Sequence, residues 1–170
     1  VLNMSLKLKV LGDDCPTDAI VEEALAAAVQ LGATVVAAAG NDRLRCVGYP
    51  ASSEYAIAVG GSGSPEDTDS HADFAQWGPE IDVAAPAVSV YSTCPMAPEQ
   101  PGPYCNEEDA GASADNPYGF GDGTSFATPI VSGVVALLLG REPALTPGEV
   151  KGRLRDTARP VPDEDRINWA

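Results

Sequence analysis

The sequence predicts an α/β fold built on a parallel sheet, and the order of elements in its first half carries that prediction. Residues Ala33–Ala39 form an unbroken run of small and apolar side chains, which is typical of a strand buried on both faces of a parallel sheet. Apolar residues from Ile20 to Val29 recur before it at helical spacing, and the short apolar strand Val1–Leu6 comes first. A strand, a helix and a second strand in this order indicate a right-handed crossover.

The predicted elements continue along the chain. Thr17 or Asp18 is placed to cap the first helix, and Gly32 to end it. The elements predicted after the crossover are strands at Tyr55–Gly60, Ile81–Ala85 and Val88–Ser92, a long loop at Cys94–Gly123, a buried helix at Ser125–Gly140, and a helix from a capping box at Thr146 to Thr157. The basic residues near the end of the last helix are predicted to form a solvated face: Lys151, Arg153, Arg155 and Arg159.

The composition excludes some classes of partner. Lys and Arg total 10 against 25 Asp and Glu, which gives a formal charge of −15. An acidic chain without a basic stripe is a poor candidate for nucleic acid binding, so we expect no nucleic acid partner. The apolar segment Ile130–Leu139 is too short to cross a bilayer, so we expect no membrane span in this chain.

The four cysteines allow three pairings. We expect Cys15 to pair with Cys46, because both follow neighbouring strand-type segments whose loops should emerge at one edge of the sheet. Cys94 and Cys105 would then close a short proline-rich loop. No C-x-x-C spacing occurs and the chain has one histidine, so we expect no zinc site and assign no metal ligand. Disulfides favour an oxidising compartment, so the expected location is secreted or extracytoplasmic.

The segment Gly121–Pro129 joins the long loop to the apolar helix and carries the candidate nucleophile. Ser125 would lie in the first turn of that helix, where unpaired backbone N–H groups and the positive end of the dipole favour negative charge. A hydroxyl there can attack a carbonyl, and the oxyanion formed can accept a hydrogen bond from the backbone. The alternative is that Thr124 and Ser125 only cap the helix.

The sequence Gly-Thr-Ser-x-Ala-x-Pro at the start of a buried helix resembles the nucleophile segment of the subtilisin-like serine peptidases. Other segments resemble the same family in the same order: Val1–Leu6, Val35–Asn41, Val47–Pro50, Ala56–Gly60 and Gly78–Pro86. The resemblance implies a doubly wound, mostly parallel sheet with flanking helices. It also implies that residues 1–170 form the C-terminal portion of one peptidase domain.

The resemblance assigns roles to particular residues. It makes Ser125 the nucleophile and Asn41 a side-chain donor to the oxyanion, although Gly40-Asn41-Asp42 alone could be an ordinary turn. Gly48 would be the floor of the primary pocket and leave room for a large apolar side chain. The full set of implied substrate contacts is Ser5, Leu6, Ala38, Ala39, Gly40, Gly48 and Thr124. Lys7 and Leu8 stand where the family has glycines. Phe74 resembles a residue on the leaving-group side, and is equally well explained as a core residue.

The chain lacks the family's aspartate and histidine signatures. His71 is its only histidine, and its acidic surroundings indicate an idle residue on a surface loop. The expected partners are therefore an N-terminal portion of the same protease, separated by cleavage as in a processed zymogen or simply absent, and a peptide or protein substrate. No cofactor is expected, and structural calcium is left open. The cysteines and the Ala/Pro-rich style also resemble the mycosin subgroup.

Two alternatives to a peptidase remain at this point. A non-catalytic subtilase-like module that binds peptides or proteins would explain the missing base. An α/β-hydrolase esterase is less favoured, because Ser125 is not in Gly-x-Ser-x-Gly and follows a loop instead of a strand.

Overall fold

The computed structural model describes residues 1–8, 15–63, 70–94 and 117–160 of the chain. Within them lie six strands and three helices, in the predicted order apart from one added strand. Their bounds are β1 Leu2–Met4, α1 Ala19–Gln30, β2 Val35–Ala38, β3 Ala56–Ser62, β4 Val83–Pro86, β5 Val90–Thr93, β6 Tyr118–Gly121, α2 Thr124–Arg141 and α3 Pro147–Thr157.

The larger sheet has four parallel strands in the order β1-β2-β3-β4. The pairing of β1 with β2 aligns Leu2 with Val35, so the predicted strand–helix–strand unit is formed through α1. Among the described residues β1 is an edge strand, and its Leu2 is half exposed. The predicted parallel α/β architecture is confirmed.

Helices cover both faces of this sheet, because successive residues of a strand point to opposite sides. Val36 and Ile57 pack in one core cluster with Val131 of α2. Val35, which precedes Val36 in β2, packs in a second cluster with Leu25 of α1. Helix α3 joins the first cluster. The helices on opposite faces give the doubly wound arrangement.

Strand β6 corrects the prediction that Cys94–Gly123 is entirely a loop. Tyr118–Gly121 pairs antiparallel with β5 in a separate two-stranded sheet. The rings of Tyr91 and Tyr118 stack with centroids 5.8 Å apart, and such cross-strand aromatic pairs stabilise a ribbon. The short Tyr-Gly-Phe-Gly pattern does not predict a strand on its own, because the residues around it are rich in glycine. Residues 95–116 of the predicted loop lie outside the described part.

Helix α2 is buried on one face only, where we predicted a helix surrounded by protein. Its inner face includes Ala127, Val131 and Val135, while Val134 is half exposed and Leu137 is 78% exposed. With 18 residues and a mean hydropathy of 1.4, α2 passes a length-and-composition test for a membrane span. In this structure its inner face packs on strands β2, β3 and β4. The expected absence of a membrane span stays a prediction.

The solvated face predicted for α3 is wrong in part. Lys151 Nζ lies 3.0 Å from the carboxylate of Asp82, which is 3% exposed. Arg155 approaches the same carboxylate at 3.7 Å, and the backbone N–H of Ala58 donates to it at 2.8 Å. A buried carboxylate needs such partners to offset the loss of its hydration. Arg153, which pairs with the exposed Glu142, behaves as predicted, and so does Arg159, which is exposed.

Cys15 and Cys46 form a disulfide with their Cα atoms 6.0 Å apart, the pair predicted from the sequence. The second predicted bond joins Cys94 to Cys105, and Cys105 lies outside the described residues. That bond stays a prediction.

Candidate active site

Ser125 lies in the first turn of α2, directly beside the residues that follow β1. The Ser5 hydroxyl donates to the Ser125 carbonyl at 2.9 Å, which ties the start of the helix to the end of the strand. The Ser125 hydroxyl is 3.5 Å from the Ser5 carbonyl, a distance too long for a strong hydrogen bond. The hydroxyl is therefore only weakly held and is available for a base.

Asn41 is oriented by the residue that precedes Ser125. Its side-chain oxygen Oδ1 accepts from the Thr124 backbone N–H at 3.0 Å and from the Thr124 hydroxyl at 2.9 Å. Because a backbone N–H only donates, the group facing it is the amide oxygen, and the donor Nδ2 is left on the other side. The Thr124 hydroxyl also accepts from the Gly40 N–H at 3.1 Å, which links the two segments again.

Gly123 leaves a space between two free donors. A methyl group on Gly123 would lie 3.2 Å from Asn41 Nδ2 and 3.7 Å from the Ser125 backbone nitrogen. Within the described residues, no hydrogen-bond acceptor faces either donor. Gly123 has a φ of 142°, a conformation in which other residues are strained. An oxygen placed in this space would have two N–H donors, which is what an oxyanion hole requires.

The residues predicted to form the primary pocket lie together, but a side chain of this chain occupies the space between them. Ala39 follows β2, and its carbonyl accepts from the Gly48 N–H at 2.7 Å. Methyl groups placed on Gly40 and Gly48 would lie 2.7 Å and 3.0 Å from Lys7 Cδ. The predicted open floor at Gly48 is therefore covered by Lys7.

The other implied contacts differ in their exposure, and their roles stay predictions. Leu6, two residues after β1, is 54% exposed. Ala38 is buried in β2, one residue before Ala39. Phe74 is partly buried and packs against the core cluster that contains α2, so the core explanation accounts for its position.

His71 is buried, which corrects the expected surface position. It forms an antiparallel bridge with Ser62 at the end of β3. Ser125 lies beside Ser5, which follows β1, two strands away across the sheet. Strands two positions apart are separated by about 10 Å, so His71 and the strand end beside Ser125 belong to different parts of the sheet.

Comparisons with known proteins show the family to which the chain belongs. The sequence matches the profile of the subtilase family over residues 1–168. The chain belongs to the subtilase family.

Relatives of this subtilase include subtilisin DY from Bacillus licheniformis, which is 36% identical over 167 residues, covering 96% of this chain and 51% of that protein. An extracellular protease from Xanthomonas campestris is 39% identical over 164 residues, 95% of this chain and 25% of that protein. The chain thus spans about half, or less, of the length of these curated relatives.

Solved structures resemble the fold. A protease from Pseudoalteromonas arctica aligns with a TM-score of 0.76 at 30% identity, over 95% of this chain and 44% of that one. A cold-adapted subtilisin-like serine proteinase aligns with a TM-score of 0.71 at 29% identity, over 96% of this chain and 50% of that one. The subtilisin-like fold predicted from the sequence is confirmed.

Three residues near the site were not assigned to it from the sequence. Gly123 separates the two donors, and Lys7 covers Gly48. Gln76 is fully buried behind Gly40, where its backbone N–H donates to the Gly40 carbonyl at 2.9 Å and its side chain to the Cys46 carbonyl at 2.8 Å. No sequence signal marks Gln76. Gly123 lies in the predicted nucleophile segment, and Lys7 stands where the family has a glycine, but neither observation predicts its position in the site.

Proposed function

We propose that the chain supplies the nucleophile and the oxyanion hole of a serine endopeptidase. The observation that carries the proposal is the space beside Gly123, which faces both Asn41 Nδ2 and the Ser125 N–H. The Ser125 hydroxyl stands on the same turn. A nucleophile next to two preorganised donors is the arrangement that stabilises the tetrahedral intermediate of acyl transfer.

The proposed reaction proceeds in two steps. Ser125 Oγ attacks the scissile carbonyl and gives its proton to a histidine base, which passes it to the departing amine. The carbonyl oxygen becomes an anion in the space beside Gly123. Water then attacks the acyl-serine ester by the same route in reverse, releasing the acid and restoring the hydroxyl.

The histidine and its aspartate are proposed to come from an N-terminal portion of the parent protein. The only histidine of this chain bridges Ser62, on the far side of β2 from Ser125. The relative subtilisin DY is about twice as long as the aligned part. An additional portion would also cover the open edge of β1, which would otherwise be a site of non-specific pairing.

An exposed apolar patch next to that edge supports the same partner. We define the patch by exposed apolar residues at the start of the chain and on α2: Val1, Leu2, Ile130, Val134 and Leu137. The two elements are adjacent, since the Ser132 hydroxyl donates to Asn3 Oδ1 at 2.9 Å. Contiguous exposed apolar surface of this kind marks an interaction site. The patch begins on α2 at Ile130, less than two turns beyond Ser125, so a further part of the domain docked there would lie near the nucleophile.

The proposed location is extracellular. The Cys15–Cys46 disulfide favours an oxidising compartment, and one relative is named an extracellular protease. Release of the N-terminal portion by processing, membership of the mycosin subgroup and structural calcium are further expectations that await their own tests.

A fluorophosphonate probe tests the proposal, because it forms a covalent bond with an activated serine. The probe is applied to residues 1–170 alone and after addition of the N-terminal portion. We expect labelling only in the assembled protein, with loss on Ser125→Ala. Ser132→Ala is the matched control, since Ser132 lies on the same helix and should leave labelling intact. His71→Ala should also leave it intact.

The second candidate function is a non-catalytic peptide-binding module. It would be supported by peptide binding to an assembled protein whose Ser125 does not react with the probe. Equal labelling of the wild type and Ser125→Ala would rule out Ser125 as the nucleophile.

A further inference from the structure

The side chain of Lys7 lies in a cleft formed by two glycines. A methyl group on Gly40 would be 2.7 Å from Lys7 Cδ, and one on Gly48 would be 3.0 Å from Cδ and 3.2 Å from Cβ. The 2.7 Å approach is closer than real side-chain carbons come, and the other two are unusually tight, so Lys7 packs directly on both glycines. Gly40 also leaves room for Gln76 Oε1, which would be 1.8 Å from such a methyl group. The glycines create a cleft, and the aliphatic part of Lys7 fills it.

This cleft opens next to Ser125. The Gly40 N–H donates to the hydroxyl of Thr124, the residue before Ser125. Ser5, two residues before Lys7, is hydrogen-bonded to the Ser125 carbonyl. A carbonyl attacked by Ser125 belongs to a substrate residue whose side chain must point into the nearest cleft, and the cleft between Gly40 and Gly48 borders these residues.

The ammonium group of Lys7 is held at the rim of the cleft by an ion pair with Asp42. The Lys7 side chain is 22% exposed and that of Asp42 is 42% exposed. The charge is therefore already neutralised by a neighbour, which makes the cleft a poor site for an acidic substrate side chain. An exposed ion pair contributes little to stability, so burial of the methylene groups is the main reason for the position of Lys7.

We propose that Lys7 is a specificity-determining residue that restricts the position before the scissile bond to small side chains, such as those of Gly, Ala and Ser. The proposal rests on the proposed function. It replaces the expectation that a glycine floor admits large apolar groups, because the volume above Gly48 belongs to Lys7. A Leu or Phe side chain would have to displace about four methylene groups of Lys7 into water.

The test measures peptide affinity in the Ser125→Ala protein, so that it does not depend on catalysis. The ligands are acetylated tetrapeptides with a free C-terminal carboxylate, identical except for a last residue of Gly, Ala, Leu, Phe or Glu. A C-terminal carboxylate can place an oxygen beside Gly123, which fixes the register of binding. Affinities are measured by NMR titration of the chain assembled with its N-terminal portion, with Lys7 intact or replaced.

We expect the Ala peptide to bind more tightly than the Phe peptide when Lys7 is present. Lys7→Gly should raise the affinity for Phe relative to Ala by ~10–200-fold, the range for added apolar volume in a pocket. Lys7→Met is the matched control, because it keeps most of the stem without the charge and should keep the preference for Ala. Lys7→Ala provides a second open-cleft variant, and thermal unfolding of each variant checks that it is folded.

Several results would overturn the proposal. One is a ratio of Phe-peptide to Ala-peptide affinity that is unchanged by Lys7→Gly or Lys7→Ala. A second is an absence of peptide binding. Another is a Met variant that behaves like the Gly variant, or a preference for the Glu peptide that only the lysine confers. Failure of the proposed function is seen separately, as a lack of probe labelling at Ser125.

Discussion

Thr124 is predicted to act through Asn41, and Thr124→Val is the substitution that tests this. Thr124 is fully buried, and valine has nearly its shape. The change removes the hydrogen bond to Asn41 Oδ1 at 2.9 Å and the acceptor of the Gly40 N–H at 3.1 Å. Asn41 keeps its bond to the Thr124 backbone at 3.0 Å, so its side chain is loosened but not released.

The expected magnitudes follow from these contacts. The substitution removes one neutral hydrogen bond and leaves the buried Gly40 N–H without an acceptor. Together these changes should lower the free energy of unfolding by ~2–4 kcal/mol. Because Asn41 is held less firmly, the stabilisation of the transition state should fall by about 1 kcal/mol, which corresponds to a fall in kcat of about fivefold. Asn41→Ala should lower kcat by ~10²–10³-fold, a value carried over from the subtilisin family for loss of one oxyanion-hole donor.

A double-mutant cycle decides whether Thr124 is a positioning residue. If Thr124 acts only through Asn41, Thr124→Val should have no further effect on kcat in the Asn41→Ala background. Thr124→Ser keeps the hydroxyl and should restore kcat. Urea unfolding measures the stability loss separately from the kinetics. Multiplicative losses in the double variant would refute the reasoning, and so would a valine variant with the kcat of the wild type.

Three predictions concern stability. Burial and the hydrogen bond to Glu22 at 2.7 Å raise the pKa of Tyr49. The stability that Tyr49 contributes is therefore present below the usual tyrosine pKa and is lost as the pH rises through the raised pKa. Tyr49→Phe should lower the free energy of unfolding by ~1.5–3 kcal/mol at pH 7 and reduce the loss of stability at alkaline pH, as measured by urea unfolding. Asp82→Ala leaves Lys151 without its buried partner and should cost ~3–5 kcal/mol by the same assay. Helix-cap hydrogen bonds lower the pKa of Glu149, so its contribution is lost as the pH falls through that lowered pKa, and Glu149→Gln should weaken the acid dependence of the melting temperature.

Long elements with a strong pattern could be predicted from the sequence to within a few residues. The run Ala33–Ala39 became β2 at Val35–Ala38, and the capping box at Thr146 begins α3 where predicted. These patterns are local, since they depend on period and on side chains within one turn. Strand β6 could not be predicted this way, because it is stabilised by β5, which precedes it by more than twenty residues.

Polar contacts between distant segments were also beyond a reading of the sequence. The charges of Lys151 and Arg155 follow the usual pattern of an exposed helix end, yet they surround Asp82, far away in the chain. His71 lies in an acidic stretch, yet its bridge to Ser62 buries it. A pattern of residue types indicates which side chains prefer water, but not which partner makes burial acceptable.

The glycines near Ser125 explain both what the sequence predicted about the site and what it missed. A glycine indicates that space is needed next to the backbone, and it does not say which group uses that space. Beside Gly123 two N–H donors face a gap that the Phe126 ring only borders, at 3.9 Å, so a reacting oxygen fits there. The space beside Gly40 is used by Gln76 and Lys7, and the space beside Gly48 by Lys7, all from the same chain. The same residue type therefore leaves room for the chemistry at one position and, by admitting Lys7, limits the substrate side chain at the next.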